Sequence, residues 1–172
     1  MAHIIERVTE GCVLGEGPHW DVNTQSLYFV DIMGIILKYT AATKTVTKAS
    51  VPSKHVSFIV PVANGNNQFI VSWDKELVII SWDGESDNIS IVERLCTIGS
   101  TPETTDNEFN DGKCDSSGRL WAGTHVIASE FFKTQPLGGL YTLDSKRQLI
   151  RQVDKIRIAN GLAFNDQAKK MY

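Results

Sequence analysis

Apolar and polar residues alternate along this chain in short runs, at 27–30, 35–39, 57–62, 68–73, 77–82 and 89–95, each rich in β-branched and aromatic side chains. A period of two over so short a span predicts β-strands. Turn signals punctuate the runs at Asn64-Gly65, Asp83-Gly84, Asp111-Gly112, Ser117-Gly118 and Gly138-Gly139, leaving no room for long helices. The pattern predicts an all-β chain.

A weak internal repeat emerges when the polar turn before each strand expected to be innermost is aligned. Trp20-Asp21 precedes Leu27-Tyr28-Phe29, Cys114-Asp115 precedes Leu120-Trp121-Ala122, and Phe164-Asn165 precedes Met171-Tyr172. Val62-Ala63-Asn64-Gly65, before Phe69-Ile70-Val71, supplies the copy between. With Asp21, Asn64, Asp115 and Asn165 as markers, the separations are 43, 51 and 50 residues, a period that suits one four-stranded propeller blade. One domain over 1–172 follows, an N-terminal β-propeller portion of about three blades and the beginning of a fourth, truncated within the first strand of its last copy.

A complete small β-sandwich is the competing architecture, and the unfinished last copy weighs against it. Trp20-Asp21, Trp73-Asp74 and Trp82-Asp83 resemble the dipeptide of WD repeats, but two copies lie only 9 residues apart and none has a Gly-His upstream.

Composition narrows the class. The 172 residues are 42% hydrophobic and 22% charged, as in a soluble globular protein, with a formal charge of −3 and no run of like charges that would hold nucleic acid. The N-terminal stretch interrupts its apolar residues with Glu6, Arg7 and Glu10, so no leader or membrane segment is visible. Cys12, Cys96 and Cys114 have no C-x-x-C spacing, which predicts reduced thiols and a cytoplasmic location.

Three motifs with oxygen donors stand at the entrances to repeats: Gly15-Glu16-Gly17-Pro18, Asn110-Asp111-Gly112-Lys113 and Ala159-Asn160-Gly161-Leu162. Propeller geometry would let Glu16, Asn110 and Asn160 converge near the central channel. A carboxylate with amide oxygens suits a hard cation, which assists hydrolysis of an ester or lactone. The same motifs are equally ordinary β-turns, and spacing alone does not separate the readings.

The blocks G-E-G-P-H-W-D at 15–21, L-Y-F-V-D at 27–31, F-N-D-G-K-C-D-S-S-G-R-L-W-A-G-T at 109–124 and A-N-G-L-A-F at 159–164 resemble the regucalcin, gluconolactonase and luciferin-regenerating enzyme family, in that family's order. The resemblance implies a six-bladed propeller with one divalent cation (calcium, zinc, magnesium or manganese). Its ligands are a Glu, an Asn and an Asp further on; Glu16 and Asn160 match the first two, and the third has no counterpart before Tyr172. It also implies substrate contacts from an Asn, matched by Asn110, and from an Arg, whose place is taken by Glu108. That exchange replaces guanidinium donors with an acceptor-only carboxylate and departs from a sugar-lactone pocket. A further acidic contact falls at Ala128, with Glu130 near but not aligned.

His125 after Gly123-Thr124 departs from the family and reads as a structural histidine. His19 and His55 read as rim residues, and Asp111 as a supporting acceptor for Asn110. The expected activity is metal-dependent hydrolysis of a lactone, a small-molecule substrate, with no nucleic-acid or membrane partner. A calcium-binding regulatory propeller and a luciferin-regenerating type of enzyme with a non-sugar substrate are the alternatives. No residue is assigned as catalytic, and nothing in the sequence sets the oligomeric state.

Overall fold

The polar turns of the sequence become the corners of antiparallel meanders. The structure, a computed structural model, describes residues 5–52, 55–127, 135–167 and 169–172. A first four-stranded sheet contains β1 (Gly15–Asp21), β2 (Ser26–Asp31), β3 (Ile35–Thr40) and β4 (Thr45–Ser50). A second contains β5 (Ile59–Pro61), β6 (Gln68–Trp73), β7 (Glu76–Ser81) and β8 (Ser90–Thr97). A third contains β9 (Asn107–Cys114), β10 (Leu120–Val126), β11 (Gly138–Leu143) and β12 (Leu149–Ile156), and the hairpin of β13 (Phe164–Asn165) and β14 (Lys170–Met171) follows. These are three propeller blades and the opening hairpin of a fourth. Among the described residues no helix is long and apolar enough to cross a membrane.

Two cores lie between consecutive blades. Tyr28, Val30 and Ile36 of blade one meet Phe69, Val71, Trp73, Val78 and Ile80 of blade two. From the opposite face of blade two, Ile70 and Leu77 meet Phe109, Leu120 and Tyr141 of blade three. Both faces of β6 are thus covered, which is why 69–71 is continuously apolar rather than alternating. Tyr28 packs on Phe69 at 4.9 Å between ring centroids and edge-on to Trp82 at 6.4 Å, and Trp82 hydrogen-bonds through Nε1 to the Ser86 carbonyl. Such ring pairs add about 0.5–1.5 kcal/mol beyond the area they bury.

The strand order corrects which strand is innermost. β1, β5 and β9 each touch the other two, β1 and β9 doing so although their blades are not consecutive. They precede the marker turns, whereas 27–29 and 120–122 lie in the second strands. The final hairpin likewise carries the chain into a second strand at β14. Two supposed turns are also strand. Asp111-Gly112 lies inside β9 and Gly138-Gly139 opens β11. Their glycines serve close approach instead: a Cβ on Gly112 would sit 2.6 Å from ring atoms of Phe58, and one on Gly138 would sit 2.4 Å from the Thr124 carbonyl oxygen.

Candidate functional site

Both inner strands that carry candidate residues are interrupted at the same kind of place. In β1, Glu16 pairs with Val30 and His19 with Tyr28, so Gly17 and Pro18 oppose one residue of β2. In β9, Gly112 pairs with Ala122 and Phe109 with Thr124, so Asn110 and Asp111 together oppose Gly123. Each is a β-bulge, which bends the strand and re-aims the side chains beside it. Gly17 has φ 55°, and a Cβ there would fall 2.6 Å from Phe58 Cα, so glycine alone lets β1 pass so close to the segment that leads into β5.

The bulge in β9 holds the 159–162 segment in place. Asn110 Nδ2 donates to the carbonyl of buried Ala159 at 3.1 Å. Asp111 Oδ2 accepts from the amides of Gly161 at 2.9 Å and Leu162 at 3.4 Å, while Oδ1 accepts from Gly112 at 2.8 Å. Asp111 therefore supports the loop bearing Asn160 rather than Asn110.

Glu16 and Asn160, far apart in sequence, line one cleft of about 250 Å³ together with His19, Asp111 and Lys113. Asn110 stands beside this cleft, turned to the Ala159 carbonyl. The donors of Glu16, Asn160 and Asp111 are all oxygens, the set a hard cation takes. Burial, the largest influence, lowers the His19 pKa; Lys113 acts in the same direction and Asp21 opposes it.

Glu108 points elsewhere. Its Oε1 lies 3.3 Å from His125 Nε2 and 3.7 Å from His55 Nδ1, and the two imidazole rings are 6.3 Å apart. The His55 side chain is only 17% exposed, so it is a packed residue rather than a rim one. Burial chiefly lowers its pKa; Glu108 and Asp74 raise it, and His125 lowers it. Ala128 and Glu130 lie outside the described residues.

Sequence reasoning missed the joining of His55, Glu108 and His125. The tight turn at 115–119 by itself sets a register that would put Glu108 opposite Val126, and only the bulge at 110–111 shifts it opposite His125, so the sequence held no direct signal for this pair. His55 comes from another blade and has no local signal. Lys113 was also missed as a lining residue, hidden inside what read as a turn motif.

The family model described as SMP-30/Gluconolactonase/LRE-like region matches residues 14–172. A Bacillus subtilis protein provisionally named sugar lactone lactonase YvrE is 29% identical over 100% of this chain and 54% of its own length. Regucalcin of Xenopus laevis is 28% identical over 96% of this chain and 52% of its own. A solved luciferin-regenerating enzyme superposes with a TM-score of 0.85 at 40% identity, covering 94% of this chain and 52% of that one. The chain spans about half the length of the curated relatives it matches.

Proposed function

The chain belongs to the SMP-30/gluconolactonase/LRE-like family, and on that premise we propose that it contributes to a divalent-cation-dependent hydrolase of lactones or related cyclic esters. The observation that carries this reading is the meeting of Glu16 and Asn160 in one cleft, with Asp111 beside them. Glu16 supplies the negative charge and Asn160 a neutral amide oxygen, while Asn110 and Asp111 hold the loop that presents Asn160. A divalent cation bound there supplies Lewis acidity toward a substrate carbonyl or lowers the pKa of a bound water. The bulges at 17–18 and 110–111 support this reading, because a bulge re-aims the side chains beside it.

Replacing Glu16 by Gln in a protein of the relatives' full length is expected to weaken calcium binding and lactone hydrolysis together. Calorimetry and a lactone-opening assay measure the two, and retention of both refutes the assignment.

One observation favours a non-sugar substrate over a sugar lactone. Glu108 is turned toward two imidazoles and offers no guanidinium donor to a sugar hydroxyl. The 40% identity to a luciferin-regenerating enzyme points the same way. Parallel assays with a sugar lactone and with thiazoline nitriles discriminate the two; preferential turnover of the sugar lactone defeats the second reading.

A further inference from the structure

Outside the Glu16 cleft, the described residues hold one group of metal-ligating side chains, contributed by two blades. His55 leads into β5, while Glu108 on β9 and His125 on β10 are direct cross-strand partners. The ligand atoms of the three all lie within 4.8 Å of one another. We propose that His55, Glu108 and His125 form a binding site for a borderline-soft divalent cation of the zinc class, distinct from the oxygen-donor cleft at Glu16 and Asn160.

Geometry supports this first. Zinc bonds to imidazole nitrogen and carboxylate oxygen of about 2.0–2.2 Å in a tetrahedron place the ligand atoms roughly 3.3 Å apart. The two measured edges, 3.3 Å from Glu108 to His125 and 3.7 Å from Glu108 to His55, are close to that spacing. The third edge, between the two imidazoles, is no longer than 4.8 Å. Two imidazoles and one carboxylate leave a fourth position for water, the arrangement of open zinc sites.

The scaffold and the surroundings fit as well. The His55 carbonyl accepts from the Asp74 amide at 2.9 Å, and the Phe109 amide reaches the Asp74 carbonyl at 3.4 Å, so one turn anchors both lead-ins. Ser57 Oγ bridges Ser72 Oγ at 2.9 Å and the Phe109 carbonyl at 3.2 Å, fixing the backbone beside His55 against that beside Glu108. The three side chains are 13–18% exposed, which shields the site yet leaves a path for an ion. Two nitrogen donors disfavour calcium and magnesium, so the two sites select different metals.

The test is a cobalt(II) and zinc titration of the whole 172-residue chain, with cobalt read by its visible ligand-field absorption. The wild-type chain is expected to give an intense four-coordinate cobalt spectrum that zinc displaces. Changing outer-shell partners alone costs about 10–100-fold in metal affinity, so E108Q, which alters a ligand, is expected to weaken binding at least about 100-fold. E16Q is expected to leave this cobalt affinity unchanged, which also separates failure here from failure of the lactonase reading. X-ray absorption of the zinc-loaded wild-type chain covers the case in which E108Q does not fold. Two imidazoles with oxygen at about 2.0–2.2 Å support the site, and sulfur at about 2.3 Å places the metal on cysteine and overturns it. Absence of saturable cobalt binding, or E108Q affinity equal to wild type, overturns it too.

Discussion

Asp111 is the residue through which the fold reaches the proposed cation site, and its replacement by Ala tests that link. The substitution removes an acceptor from the Gly161 amide at 2.9 Å and from the Leu162 amide at 3.4 Å. A hydrogen bond to a charged group contributes about 1.5–3 kcal/mol net. Gly161 is exposed, water replaces part of the loss, and Asn160 Oδ1 still accepts from Gly161 at 3.0 Å. The low end of the range, about 1.5 kcal/mol, is therefore the expected cost, which corresponds to roughly a tenfold change in the loop's opening equilibrium.

Amide hydrogen exchange of the labelled chain reads that equilibrium directly, because loops open locally without global unfolding. D111A is expected to speed exchange at Gly161 and Leu162 about tenfold, with the amide of Val51 in the first core unchanged. D111N keeps a neutral acceptor of about half the strength and is expected to give an intermediate effect. Unchanged exchange at 161 and 162 in D111A refutes the role assigned to Asp111. A speed-up spread evenly over the core refutes it equally, since that would report global destabilisation.

Three further predictions concern the frame around the site. Ser72 is fully buried and its Oγ accepts from the Ser57 amide at 2.7 Å and the Phe58 amide at 3.2 Å. S72A strands both donors and is expected to cost about 2–3 kcal/mol in urea unfolding at unchanged slope; a cost below about 0.5 kcal/mol refutes the account. G112A drives a methyl into the Phe58 ring and is expected to cost about 1–3 kcal/mol, with partial rescue by F58L; additivity of the two changes contradicts the contact. Although burial raises the Asp115 pKa, hydrogen bonds from Ser117, Trp121 and the Arg119 amide outweigh it and bring the carboxyl from 3.8 to about 2. Its folded value lies below its unfolded one, so its stabilisation is present above pH 3.8 and is lost as pH falls toward about 2. D115N is expected to flatten the pH dependence of the unfolding midpoint across that window, and an unchanged slope argues against the paired carboxylate.

What the sequence disclosed follows from how local each feature is. Short β-branched and aromatic runs at 27–30 and 68–73, and turns such as Asn64 with φ 60° and Gly118 with φ 81°, depend on neighbouring residues and could be read directly. The inner strands could not, because β1 and β9 are built around bulges whose Gly, Pro, Asn and Asp residues are those that normally mark turns. Gly112 is glycine because of Phe58, a residue of another blade, and no local rule contains that constraint.

The site residues divide along the same line. The meeting of Glu16 with Asn160 was open to inference because repeats stacked about an axis bring equivalent positions together. Glu108 with His55 and His125 breaks the repeat: one histidine comes from an inner strand's lead-in and the other from a second strand. A departure from the repeat that gathers two imidazoles around a carboxylate is where a lineage can acquire a property its blades do not share. None of the three is itself a bulge residue, since the bulges beside the Glu16 cleft lie at 17–18 and 110–111. The two sites are therefore separable by mutation, and E16Q and E108Q should each remove one metal affinity and spare the other.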